Sequence, residues 1–122
     1  MTWIVPMPNG VVSLQIPSEC PILEYEKVLV ELFESGFPQR LMIENMTGKT
    51  KWVMPEMKEH FKRIKQYAAL LTPEHRVAIV ASGPHEFASG KTAQGALESI
   101  FPCQIEVFYD TEQAHKWLVD AE

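Results

Sequence analysis

The segment that most constrains the fold is the run from Arg76 to Ser82, RVAIVAS, in the second half of the chain. It contains β-branched and small apolar residues without polar alternation, and Gly83 and Pro84 follow it directly. A strand that is apolar on both faces has to be covered on both sides, which is typical of a strand inside a parallel sheet. The run therefore predicts a sheet protein with helices packed around this strand.

Strand and helix patterns alternate on both sides of this run. Four more apolar runs of strand length occur, at residues 3–5, 11–16, 40–44 and 104–109. Apolar residues recur at helical spacing over 21–35, 55–71, 85–100 and 110–121. Asn9-Gly10 predicts a tight antiparallel hairpin between the first two strands, because both residues tolerate positive φ.

The resulting element order is ββαβαβαβα. Consecutive strand–helix–strand units need right-handed crossovers and therefore make the later strands parallel. We expect an α/β fold, bordering on α+β, with a mixed and mostly parallel sheet of four to five strands and four helices. At 122 residues the chain fits one domain over 1–122.

The predicted helix over 85–100 has an unusually small apolar side, and Gly90 and Gly95 lie inside it. Its apolar residues are Phe87, Ala88, Ala93, Ala96, Leu97 and Ile100. A glycine inside a helix costs about 1 kcal/mol relative to alanine. We expect a close backbone contact to compensate, with this helix lying tight on the sheet.

Composition excludes several classes of protein. The net charge of −5 and the pI near 5.4 disfavour non-specific nucleic-acid binding and constitutive attachment to anionic membrane. The apolar windows are too short for stable membrane insertion, and the N-terminus lacks a signal-peptide pattern. We therefore expect a cytoplasmic protein in which Cys20 and Cys103 are free thiols.

No motif in the chain assigns a catalytic residue, a metal site or a cofactor. Gly90-Lys91-Thr92 is not a phosphate-binding loop, because His85 stands where the first glycine is required. Glu56 and His60 lie one helical turn apart, but two ligands do not make a metal site. We interpret the acidic residues of the 21–35 helix as a solvated face.

The last 47 residues carry a resemblance. Glu106-Val107-Phe108-Tyr109 continues through the acidic turn Asp110-Thr111 into Glu112-Gln113-Ala114-His115-Lys116-Trp117-Leu118, and Arg76 to Val80 provides the preceding strand. This pattern is similar to the SpoIIAA-like family of the STAS superfamily. The resemblance implies a small domain with helices on one side of the sheet, often dimeric, that acts as a binding or regulatory module. A protein partner or self-association as a homodimer is therefore expected.

The resemblance also draws attention to one turn. Anti-sigma-factor antagonists of the superfamily carry a phosphorylated serine in an Asp-Ser-Ser-like turn, and the corresponding residues here are Asn45-Met46-Thr47-Gly48. The Asp and both serines are missing, which argues against the phosphoswitch. Thr47 is the residue of this turn that can accept a phosphate, and the alternative is a plain turn residue.

Two function hypotheses follow. The first is a non-enzymatic binding or regulatory module of STAS type that uses the loop after Asn45 and the neighbouring surface. The alternative is a carrier of, or an enzyme acting on, a small apolar or anionic molecule or lipid at the carboxyl edge of the parallel strands, where helix N-termini point. The candidate ligand- or partner-binding residues are Asn45, Thr47, Lys49, Trp52, Ser82 and His85.

Overall fold

The computed structural model describes residues 3–17, 19–45 and 54–120. These residues form a five-stranded mixed sheet and four α-helices, in the element order that the sequence predicts. The elements are β1 (Ile4–Pro6), β2 (Val12–Ile16), α1 (Ile22–Ser35), β3 (Arg40–Asn45), α2 (Met54–Ile64), β4 (Arg76–Val80), α3 (Pro84–Glu98), β5 (Gln104–Phe108) and α4 (Thr111–Val119). Two short 3-10 helices lie at Pro8–Gly10 and Lys65–Leu70. The α/β class is thus confirmed.

The strands follow one another across the sheet in chain order. β1 pairs with β2 in antiparallel register, and the pairs β2–β3, β3–β4 and β4–β5 are parallel. The connection from β1 to β2 contains Asn9 at φ 65° and Gly10 at φ 76°, the positive angles that predicted a hairpin here. Pro6 belongs to the edge strand, where its missing N–H does little harm.

The helices cover both faces of the sheet unequally. Because the strands advance in one direction, right-handed crossovers put α1, α2 and α3 on one face. The core under them includes Leu14, Leu29 and Val77. On the opposite face α4 packs Ala114 and Leu118 onto a smaller cluster that contains Met42 and Ala78. The expectation of helices on one side only is therefore wrong for α4, while the two-sided covering of β4 is confirmed.

Two arginines anchor the end of α4 at the amino edge of the sheet. Arg40 Nε donates to the carbonyl of Leu118 at 2.8 Å, and Arg76 Nη1 donates to the carbonyls of Trp117 and Asp120 at 2.7 Å each. These carbonyls have no partner within the helix, so the guanidinium groups satisfy them and complement the negative end of the helix dipole.

The second helical segment is shorter than its pattern predicts. The α-helix ends at Ile64, and the chain continues as a 3-10 helix to Leu70 instead of remaining α-helical to residue 71. Tyr67 in this segment stacks on Phe33 of α1, with ring centroids 4.8 Å apart and planes 7° from parallel. The apolar stripe of the segment still reaches the core, where Leu71 is buried.

Helix α3 lies close to β5 at one glycine. A Cβ on Gly90 would be 3.0 Å from Cγ1 of Val107, which confirms the expected close contact there. At Gly95 nothing lies within 4 Å of such a Cβ, so the same expectation is wrong for that residue. Ala88, assigned to the apolar side from the sequence, is exposed.

Candidate functional site

A cavity of about 590 Å³ lies between the three-helix layer and the sheet. Its volume is within the range of about 300–1,000 Å³ that is typical of small-molecule sites. Most of its lining is aliphatic or aromatic. The floor includes Ile43, Ile79 and Ile105 from the strands, and the walls include Phe33 of α1 and Phe61 of α2.

The cavity exists because α3 presents little side-chain volume to it. Three of its contributions to the wall are Ser89, Gly90 and Ala93, which carry at most two side-chain heavy atoms each. The contact of Gly90 with Val107 fixes how closely the helix approaches β5. The space between α2 and α3 therefore stays open over the middle of the sheet.

The size of this space decides whether it can stay empty. At roughly 24 cal/mol per Å³, a closed void of about 590 Å³ would cost about 14 kcal/mol. That is the entire free energy of unfolding of an ordinary domain, about 5–15 kcal/mol. Two lining residues, His85 and Ser89, are exposed and mark a side that is open to solvent. A space of this size that opens to solvent can admit water or a ligand.

A cluster of three ionisable side chains borders the cavity on the α1–α2 side. His60 of α2 lines the cavity and is 3% exposed. Its Nδ1 lies 2.8 Å from Oε1 of Glu26 in α1. Arg63, one turn after His60, donates from Nε to both carboxylate oxygens of Glu26, at 2.9 and 2.8 Å. Glu26 thus joins the two helices and fixes the plane of the imidazole.

The protonation states of the cluster follow from these contacts. The hydrogen bond from Arg63 lowers the pKa of Glu26, against an opposing effect of burial and with help from His60. Burial lowers the pKa of His60 and outweighs the raising effect of the Glu26 carboxylate. At neutral pH Glu26 is therefore an anion and His60 is neutral. An ionised carboxylate only accepts, so His60 Nδ1 carries the proton and Nε2 keeps its lone pair.

The opposite side of the cavity is formed by the first turns of α3. His85, Glu86 and Ser89 line it there, just beyond the carboxyl end of β4. Tyr109, after β5, is exposed and stacks on Phe87 with ring centroids 4.3 Å apart. Among the described lining residues, the histidine and glutamate side chains are therefore concentrated at two places, the His60 cluster and the opening, with apolar side chains between them.

The structure distributes the predicted site residues unevenly. His85 lines the cavity, whereas Ser82 is exposed after β4 and is not among the lining residues. Asn45 ends β3, and its side chain is not described. Thr47, Lys49 and Trp52 lie outside the described residues. The hypotheses on phosphorylation of Thr47 and on the loop as a partner surface thus stay predictions.

Sequence reasoning missed His60 and its partner. The sequence offers Glu56 as a neighbour of His60, one helical turn away, and predicts a solvated face for the acidic residues of α1. In the structure the carboxylate that contacts His60 is Glu26, only 13% exposed. One signal was present, because His60 falls on the same helical stripe as Met57, Phe61 and Ile64. A histidine on an apolar stripe needs a polar partner, but its partner is 34 residues away in sequence.

The two cysteines are buried free thiols. Burial raises the pKa of Cys20, and burial raises that of Cys103, which lines the cavity, to about 11. Both are therefore protonated and poor nucleophiles at neutral pH. Within residues 3–17, 19–45 and 54–120 there is no cluster of three or more metal-ligating side chains. No helix in that same part of the chain is long and apolar enough to cross a membrane.

Comparison of the chain with protein-family models, with curated proteins and with solved structures gives no significant match.

Proposed function

We propose that the protein is a binding protein for a small apolar molecule, which it holds in the cavity between α2, α3 and the sheet. The observation that carries this proposal is the cavity of about 590 Å³ with its mostly aliphatic and aromatic lining. Transfer of apolar ligand surface from water into such a lining contributes roughly 25 cal/mol per Å². This develops the alternative hypothesis from the sequence, with the ligand located over the sheet as well as at its edge.

Binding rather than catalysis is the better supported role. Cys103 is a protonated thiol, and Ser89 is exposed on the opposite helix from the His60 cluster. No hydrogen bond joins a nucleophile to a histidine base within the described lining. We therefore propose a non-enzymatic module, in line with the SpoIIAA-like resemblance.

The proposal includes two further expectations. A cytoplasmic location is supported by the absence of a disulfide between the described cysteines Cys20 and Cys103. Self-association as a homodimer is supported by the resemblance of the C-terminal strand and helix to STAS domains. Both are independent of whether the cavity binds a ligand.

Titration with the uncharged fluorescent probe N-phenyl-1-naphthylamine tests the proposal. The wild-type protein is expected to bind the probe saturably with one site per chain, with a negative heat-capacity change in calorimetry. Ala93→Phe places a ring in the cavity from the α3 wall and is expected to weaken binding at least tenfold. The milder Ala93→Leu is expected to weaken it less.

Ala88→Phe is the matched control, since it makes the same change on the exposed side of the same helix. It is expected to leave probe affinity within twofold of wild type. Circular dichroism establishes that each variant is folded. Absence of saturable binding to the folded wild type, or equal weakening by Ala88→Phe and Ala93→Phe, contradicts the proposal.

A further inference from the structure

The proposed function does not specify which polar group the ligand carries. The His60 cluster indicates which kind of group the cavity can bind. His60 provides a nearly fully buried polar side chain among the apolar residues of the cavity wall. With Nδ1 held by Glu26, the ring nitrogen left to meet a ligand is Nε2. In this tautomer Nε2 accepts a hydrogen bond and does not donate one.

Charge balance favours the same state. The guanidinium of Arg63, on the exposed side of the cluster, already compensates the carboxylate of Glu26, so a proton on His60 would place a further positive charge on the nearly fully buried member of the cluster. The ring of Tyr25 also packs against His60, with ring centroids 5.6 Å apart. Burial raises the pKa of the Tyr25 hydroxyl, so Tyr25 stays neutral. Glu56 lies one turn before His60 on α2, and His85 and Glu86 line the far side of the cavity.

We propose that the molecule bound in the cavity carries a neutral hydrogen-bond donor, an alcoholic or phenolic hydroxyl, that donates to Nε2 of His60. This inference rests on the proposed function and names the class of its ligand. A hydroxyl satisfies Nε2 without changing any charge. An ionised carboxylate would have to bring a proton to His60 and enter the cavity as an anion. Glu26 and Arg63 act as positioning residues, because they hold the ring and its tautomer without touching the ligand.

Three ligands of matched shape separate the possibilities, measured by displacement of N-phenyl-1-naphthylamine at pH 8. They are 4-pentylphenol, pentylbenzene and 4-pentylbenzoate. The phenol is expected to bind about five to tenfold more tightly than pentylbenzene, the effect of one buried neutral hydrogen bond of about 1 kcal/mol. The benzoate is expected to bind most weakly, because it enters as an anion.

His60→Phe keeps an aromatic ring and removes the acceptor. In this variant the phenol is expected to lose its advantage and bind like pentylbenzene, whose own affinity changes little. Glu26→Gln is expected to reduce the preference only partly, since the acceptor remains but its tautomer is no longer imposed.

A measurement on the wild type alone covers the case in which His60→Phe does not fold. Between pH 8 and a pH below the lowered folded-state pKa of His60, the affinity for the phenol is expected to fall, because protonation of His60 removes the acceptor lone pair. The affinity for pentylbenzene is expected to stay constant over the same range. The phenol itself remains neutral throughout, since its pKa is about 10.

The outcomes distinguish this inference from the function on which it rests. If no ligand of the series binds, the proposed function fails. If phenol and pentylbenzene bind equally at both pH values, or the phenol keeps its advantage in folded His60→Phe, the cavity binds apolar molecules and the role of His60 is wrong. If the benzoate binds most tightly with uptake of a proton, His60 acts as a cation and the ligand is an acid.

Discussion

One carboxylate determines what His60 can do. Without Glu26, a histidine buried among Met57, Phe61 and Ile64 would have no fixed tautomer. The 2.8 Å contact with Glu26 assigns the proton to Nδ1, and the two contacts from Arg63 keep Glu26 ionised. The cluster thus sets a hydrogen-bond acceptor in an apolar wall at neutral pH.

Acidification is expected to destabilise the protein through His60. Its pKa is lowered in the folded state, so the unfolded chain takes up a proton first as the pH falls below about 6.5. Stability is therefore lost between pH 7 and pH 5. Glu26, whose folded pKa is also lowered, adds its own loss only at lower pH, as the pH falls through that folded value. Urea denaturation at several pH values measures this dependence.

The fall in the free energy of unfolding from pH 7 to pH 5 is expected to be smaller in His60→Phe than in wild type. The remaining histidines are common to both proteins, so the difference between the slopes isolates His60. Equal slopes would mean that His60 has the same pKa in the folded and unfolded chains, contrary to its burial.

For the His60 cluster, the sequence predicts the position of the histidine but not its partner. The position of His60 on an apolar stripe is visible in the periodicity of α2. Its partner is not, because Glu26 has the same spacing as the solvated acidic residues of α1. Only the packing of α1 against α2 distinguishes Glu26 from Glu24 or Glu31, which are exposed.

Among the elements, α3 determines both how closely the helix layer approaches the sheet and how wide the cavity is. Its small residues were visible in the sequence, and the close contact they predicted occurs at Gly90. The sequence assigned the wrong rotation to part of the helix, however. Because the apolar pattern of α3 is weak, Ala88 could not be separated from Ala93, and only Ala93 faces the cavity.

The two glycines of α3 are expected to respond differently to the same substitution. Gly95→Ala meets nothing within 4 Å and is expected to raise the free energy of unfolding by up to about 1 kcal/mol through helix propensity. In Gly90→Ala the added methyl would lie 3.0 Å from Val107, so displacement of α3 is expected to cancel that gain or reverse it. Urea denaturation of both variants checks this. Equal stabilisation would show that α3 does not depend on close contact with β5.

At the scale of the whole molecule, the sequential strand order explains where a cavity can form. Three helices share one face, and the gap between α2 and α3 lies over the interior strands, while α4 packs on the other face over Met42 and Ala78. The order of elements was predictable because each segment has a clear period and bounded ends. The gap was not, since it depends on how side chains from three helices fill one layer.

Native mass spectrometry of the protein purified from its own cells tests most directly whether the cavity holds a small apolar molecule. A single small adduct is expected on the wild-type chain, released by organic solvent and identifiable as a hydroxyl-bearing apolar molecule. The adduct is expected to persist on Ala88→Phe and to be absent from folded Ala93→Phe. A wild-type chain that carries no adduct under conditions that preserve folding, or an adduct unaffected by Ala93→Phe, would contradict the account.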